Sequence, residues 1–229
     1  MRVRIKFAKT GLMKYIGHLD VMRYFQKVIR RADIDIAYSE GFSPHMLMSF
    51  AQPLGVGITS DGEYFDMDLK TSMPSAKIID SMNEQMSDEI NVSKAVSIPM
   101  EKKYKGMTLV AAADYIVSFK ENDVLFNQNK DKLTEFLSQP SINVLKKTKR
   151  SESITDIKPY IFESRVLEDQ IHLKLSTGSV NNLKPQLLFQ AFFEYAQIEP
   201  SQLSIHRKEI YADIDGKYIP LYEMGEEIL

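Results

Sequence analysis

The 229-residue chain contains no cysteine, and that absence removes several chemistries at once. No disulfide can form, no thiolate can act as a nucleophile, and no cysteine-ligated zinc or iron–sulfur cluster can be held. Histidine is scarce. His18, His45, His172 and His206 are the four present, and no two have the spacing of paired ligands on one helix. Neither a metal nor a cofactor is expected. Long apolar runs are also missing, and nothing approaches the ~20 residues that cross a bilayer as a helix. The opening Met1-Arg2-Val3-Arg4-Ile5-Lys6 alternates charge with apolar side chains and lacks the continuous apolar core of a secretory signal. The expectation is a cytoplasmic protein with no membrane partner.

Two further patterns fail to appear. Gly55-Val56-Gly57 is no dinucleotide fingerprint, because no Gly-x-Gly-x-x-Gly opens a helix there. No serine, histidine and acid combination suggests a triad. No catalytic residue is assigned.

What is present is an ordinary globular composition, 44% hydrophobic and 26% charged. A chain of this length accommodates one large domain or two of about 110 residues. The net charge of −2 hides an asymmetry. Residues 1–31 carry nine Lys or Arg against one acid, net +8, which leaves 20 cations against 30 acids, −10, for the rest. Such polarity points to an anionic partner at one end of the molecule.

Alternating Val3, Ile5 and Phe7 predict a strand whose Arg2, Arg4 and Lys6 face outward. Leu19, Met22, Phe25, Val28, Ile29 and Ala32 recur at helical spacing and predict a helix over 19–32. Short strands over 34–38 and 46–51, a strand over 63–69, a helix over 74–86 and a strand over 90–98 follow, an order that suits a β-α-β-β-α-β half with one short strand added. The lysine-rich stretch 99–106 marks a boundary. Beyond it come a strand around Tyr115, a helix around Leu133 and Phe136, and an extended segment over 142–145. A hairpin over 160–175, a helix over 183–197 and a terminal hairpin turning at Asp215-Gly216 follow. The expected fold class is α+β, two ferredoxin-like halves with antiparallel sheets, 1–104 with a basic face and 107–229 with the terminal hairpin.

The candidate polyanion-binding residues form three groups. Arg23, Lys27, Arg30 and Arg31 share one broad arc of the first helix. Arg2, Arg4 and Lys6 of the opening strand are expected to extend that positive surface, and Lys9, in the turn Lys9-Thr10-Gly11 that follows, is counted with them. Lys146, Lys147, Lys149 and Arg150 form a basic loop suited to RNA or another polyanion. Asp66 and Asp68 alternate on one strand face, read here as solvent-facing acids. In the loop 38–45, Gly41 and Pro44 shape a tight connection and Phe42 is expected to plug the core.

Several stretches together resemble a bacterial family known as the radical-SAM-linked protein family, a domain of unknown function. They are Phe7-Ala8-Lys9-Thr10-Gly11, His18-Leu19-Asp20, Arg30-Arg31-Ala32 and Tyr38-Ser39-Glu40-Gly41-Phe42-Ser43-Pro44-His45. Leu54-Gly55-Val56 and Ser60-Asp61-Gly62-Glu63-Tyr64 continue the likeness, and looser echoes follow at 156–159 and 183–185. The resemblance marks His18, Asp20, Ser39, Gly41, Phe42, Pro44, His45 and Glu63 as motif residues. It implies a radical-SAM protein as partner and an RNA-related or ribosome-associated setting, and it supplies no reaction. Gly17 stands where that family usually has serine, so a side-chain cap on the first helix is not expected. Met46 and Leu47 replace its usual proline and basic residue.

The function expected from residues and resemblance together is a non-catalytic accessory module that binds RNA or another polyanion beside a radical-SAM enzyme. The alternatives are an RNA-modifying enzyme of pseudouridine-synthase-like architecture and a purely protein-binding adaptor.

Overall fold

A computed structural model describes residues 1–119, 127–147 and 152–229. It is a mixed α+β protein with mostly antiparallel strand pairing. The chain divides into two units, the first formed by Met1–Ala112 with Arg207–Leu229 and the second by Ala113–His206. The terminal hairpin expected in the second half therefore belongs to the first unit. Its strand supplies Arg207 and Glu209, whose charges are matched inside that unit.

The first unit opens with β1 (Arg2–Lys9), followed by α1 (His18–Arg31), β2 (Met48–Phe50), β3 (Thr59–Asp68), α2 (Ser75–Asn83), β4 (Ile90–Ile98) and α3 (Gly106–Leu109). Residues 34–38, expected as a strand, make only the isolated bridges Ile36 to Leu69 and Tyr38 to Met46. Strands β4, β1 and β3 lie side by side and β2 pairs with β3. Beside β3 runs β10 (Leu203–Ile214), which turns into β11 (Lys217–Pro220). The turn carries Asp215 at φ 52° and Gly216 at φ 80°, with the Gly216 amide bonded to the Asp213 carboxylate.

Val3, Ile5 and Phe7 of β1 meet Phe25, Val28 and Ile29 of α1 and Ile78 and Met82 of α2 in one core. The buried stripe of α1 is Val21, Phe25, Val28 and Ile29. Leu19, expected inward, is 60% exposed, because Val21 rather than Leu19 leads the run at the four-residue step that ends on Phe25. Backbone groups of β4, last in the strand order, are closed by side chains. The Asn83 carboxamide bonds both the Val92 N–H and its C=O, and the Ser75 hydroxyl donates to the Ala95 C=O. Ser97 exchanges two backbone bonds with Glu226. A strand margin finished in this way offers little to a second chain.

In the second unit β5 (Val110–Phe119, of which 113–119 lie here) neighbours β9 (Gln170–Ser176), itself paired with β8 (Ile161–Val166). Helices α4 (Lys130–Ser138) and α5 (Pro185–Ala196) pack through Phe136 and Phe192, with ring centres 5.8 Å apart. Strands β6 (Asn143–Lys147) and β7 (Glu152–Asp156) form a separate two-stranded hairpin. Asp156 closes its base by accepting the Ile142 and Lys158 amides, and those bonds hold its carboxyl below the usual range.

Candidate functional site

The cations of β1 do not form a surface. Arg2, Arg4 and Lys6 each stand beside an acid supplied by another strand, and the register explains the first two. Arg2 pairs across the sheet with Asp68 and Arg4 with Asp66, so side chains of opposite charge point to the same face. Arg2 binds Asp68 through two bonds, 2.7 and 2.9 Å, and donates a third to the Met100 C=O. Arg4 is 0% exposed. It binds both Asp66 oxygens at 2.8 and 3.1 Å and donates to the carbonyls of Tyr104 and Leu221. Asp66 accepts a further bond from the Gly106 amide at 2.7 Å. Lys6 donates to Glu209 at 2.5 Å, which also accepts the Tyr64 hydroxyl at 2.6 Å. Burial and that carboxylate push the Tyr64 phenol far above its usual pKa.

The expectation of outward Arg2, Arg4 and Lys6, and of solvent-facing Asp66 and Asp68, is thus corrected. This side of the sheet is covered by the segments around Tyr104 and Leu221, and an alternating charge pattern there reads as matched pairs in a low-dielectric layer.

The basic row on α1 is different. Arg23, Lys27, Arg30 and Arg31 are all exposed, and at 100° per residue they fall within roughly 100° of arc. Asp20 is the one acid on α1 and lies 3.4 Å from Arg23. Lys27, Arg30 and Arg31 have no ion pair among the described residues. Of the basic loop, Lys146 and Lys147 lie in β6, where their backbones pair with Ser153 and Glu152. Lys149 and Arg150 lie outside the described residues.

The motif residues separate into two places. Ser39 and His45 close the loop that carries Gly41, Phe42 and Pro44. The Ser39 amide donates to the His45 C=O at 2.9 Å, the His45 amide donates to Ser39 Oγ at 3.1 Å, and Oγ lies 2.8 Å from His45 Nδ1. Gly41 turns the chain at φ 104°. Phe42 is fully exposed at the tip instead of filling the core, since the pinned ends hold residues 40–44 out in solvent.

His18 and Glu63 meet Lys9 around a cavity that Gln52 also lines. Its walls include Phe7, Val21, Phe50 and Leu54. Lys9 follows Phe7 at the two-residue step of β1 and so shares its face, which turns it toward this cavity. Lys9 is only 2% exposed, and burial lowers its pKa, an effect that Glu63 opposes. Its amine donates to the Ile16 C=O at 3.2 Å. Glu63 is held by Arg207 through bonds of 2.7 and 2.5 Å. His18 is the first residue of α1 and sets its ring edge-on to Phe50 at 5.0 Å. Burial, then the Lys9 charge, lowers the imidazole pKa and favours the neutral ring. Gly17 supplies no side-chain cap, as its replacement of serine leads one to expect. Four stretches that carry the sequence resemblance, those of Lys9, His18, Leu54 and Glu63, therefore supply residues to one cavity.

The family described as an uncharacterized protein conserved in bacteria (DUF2344) matches residues 2–185. The chain belongs to that family. The description names no activity and no link to radical-SAM proteins. Among solved structures, the chain resembles one in a crystal structure of a Cbf5-Nop10-Gar1 complex, with 10% identity and a TM-score of 0.49. The likeness covers 91% of this chain and 48% of that one, so the chain spans about half the length of that structure. No curated protein matches the sequence.

The partners of the buried cations went unrecognised in the sequence. Arg207 and Glu209 stand over 140 residues from Glu63 and Tyr64, a distance at which no local pattern operates. Asp66 and Asp68 carried a usable signal, because their spacing mirrors that of Arg2 and Arg4.

Proposed function

We propose that the protein is a non-catalytic module that binds a polyanion, RNA in particular, through the exposed face of α1. The observation that supports this most is a contrast. Arg2, Arg4 and Lys6 of β1 are paired with acids inside the first unit, whereas Arg23, Lys27, Arg30 and Arg31 remain in solvent with one acid among them. A row of guanidinium and ammonium groups on a rigid helix suits a phosphate backbone and makes binding depend on salt. The reading treats the first unit as a ferredoxin-like scaffold, supported by the order β4, β1, β3 with β2 beside β3. Its radical-SAM partner and ribosome-associated setting rest on the sequence resemblance alone.

The test is fluorescence anisotropy with a labelled single-stranded RNA across 50–200 mM salt. Neutralising the four side chains to glutamine is expected to weaken binding and to lower the slope of log Kd against log salt by about 2 to 3. Unchanged affinity and slope would refute the reading. A protein-binding adaptor is the second reading, favoured by Phe42 standing fully exposed on a loop whose ends are fixed. It predicts no RNA binding at any salt and retained capture of a partner protein that Phe42→Ser abolishes.

A further inference from the structure

We infer that the cavity beside Lys9 and His18 is a binding site for the carboxylate end of a small molecule with an apolar tail. The argument starts from an imbalance of donors over acceptors. Lys9, 2% exposed, uses its amine for a single carbonyl, that of Ile16. The carboxylate lining the cavity, Glu63, is taken up by two bonds from Arg207. Among the described residues the buried Lys9 therefore has no carboxylate bonded to it, although its charge is enclosed. Around it stand further donors: the carboxamide of Gln52, a ring N–H of His18 and the first turn of α1, which no side chain caps. An oxyanion supplies what these groups lack, an acceptor with a negative charge.

The walls select among oxyanions. The cavity, its open mouth included, holds about 270 Å³, and an organic carboxylate offers those walls an apolar surface that inorganic phosphate lacks. The walls of Phe7, Phe50 and Leu54 then suit a hydrocarbon tail leading outward. This inference stands apart from the α1 face and from RNA.

The test titrates the full chain with sodium butyrate, and separately with inorganic phosphate, at fixed pH, following the carbon–proton NMR signals of the His18 ring. Butyrate is expected to shift them saturably, and Lys9→Met to weaken that binding by about tenfold or more. Leu54→Trp fills the mouth and is expected to remove the response while dispersed spectra report an intact fold, which keeps the test decisive where Lys9→Met does not fold. The quadruple glutamine variant of α1 is expected to retain the butyrate response. The inference is overturned by the absence of any saturable shift, by phosphate binding as tightly as butyrate, or by an unchanged response in Leu54→Trp.

Discussion

Replacing Arg4 by methionine tests the buried charge layer most directly. The guanidinium is fully enclosed and makes four hydrogen bonds, two to Asp66 and one each to Tyr104 and Leu221. Without it, Asp66 keeps, among the described residues, only the Gly106 amide and is left as a nearly bare carboxylate, 3% exposed. Stranding one partner of a buried pair costs about 3–5 kcal/mol, and two carbonyls that lose their donor add on the order of 1 kcal/mol each. Adding Asp66→Leu removes the stranded charge and leaves only unpaired backbone groups, on the order of 1 kcal/mol apiece. The double variant is therefore expected to be more stable than Arg4→Met alone. Amide hydrogen exchange of Ile5 and Phe65 reads the first unit specifically. Protection there should fall by about two to four powers of ten in the single variant and recover in part in the double. A single variant that loses less than about 1 kcal/mol, or a double that shows the sum of both losses, would refute the reasoning.

Other outcomes follow from separate parts of the molecule. His18 has its pKa lowered on folding, so the unfolded chain binds its proton first and stability falls as pH drops through about 6.5. The difference in urea midpoint between pH 7.5 and pH 5.5 should be smaller in His18→Gln, and an identical drop would contradict this. Gly62→Ala would place a methyl 2.7 Å from the Lys208 carbonyl oxygen and 2.8 Å from the Glu209 Cα. Backbone cannot yield as a side chain does, and a loss of about 1–3 kcal/mol is expected in the same denaturation. Phe42→Ser should leave the midpoint within about 0.5 kcal/mol of the parent, because the ring touches no core.

Periodicity made much of the fold legible. The stripe Phe25, Val28, Ile29 announced α1, and β4 occupies the span its pattern indicates, Ile90–Ile98. Alternation gave β1 its register of apolar residues but misassigned the other face. Period two tells which residues share a side, and it is silent on whether that side meets water or another layer. Arg4 looked like a surface residue because its cover comes from Tyr104 and Leu221, far along the chain. Lys9 was misplaced for a local reason: β1 runs on through it, and the two-residue step from Phe7 carries it onto the buried face. The α1 row was legible because nothing distant covers it. The loop 38–45 was recognised as a unit, yet Phe42 was assigned inward on the general habit of phenylalanine, a rule that fails where Ser39 and His45 pin both ends of a short solvent-borne loop.

The second unit is an insertion between two pieces of the first. During synthesis, the first 112 residues emerge long before Arg207, Glu209 and the Leu221 carbonyl, which complement Glu63, Lys6 and Arg4. Residues 1–112 must therefore wait for residues 207–229, holding their charges hydrated until that hairpin arrives. A fragment ending at residue 112 is on this account no miniature of the first unit, and dissection of the protein would do better to excise 113–206 and join the flanking strands with a short linker.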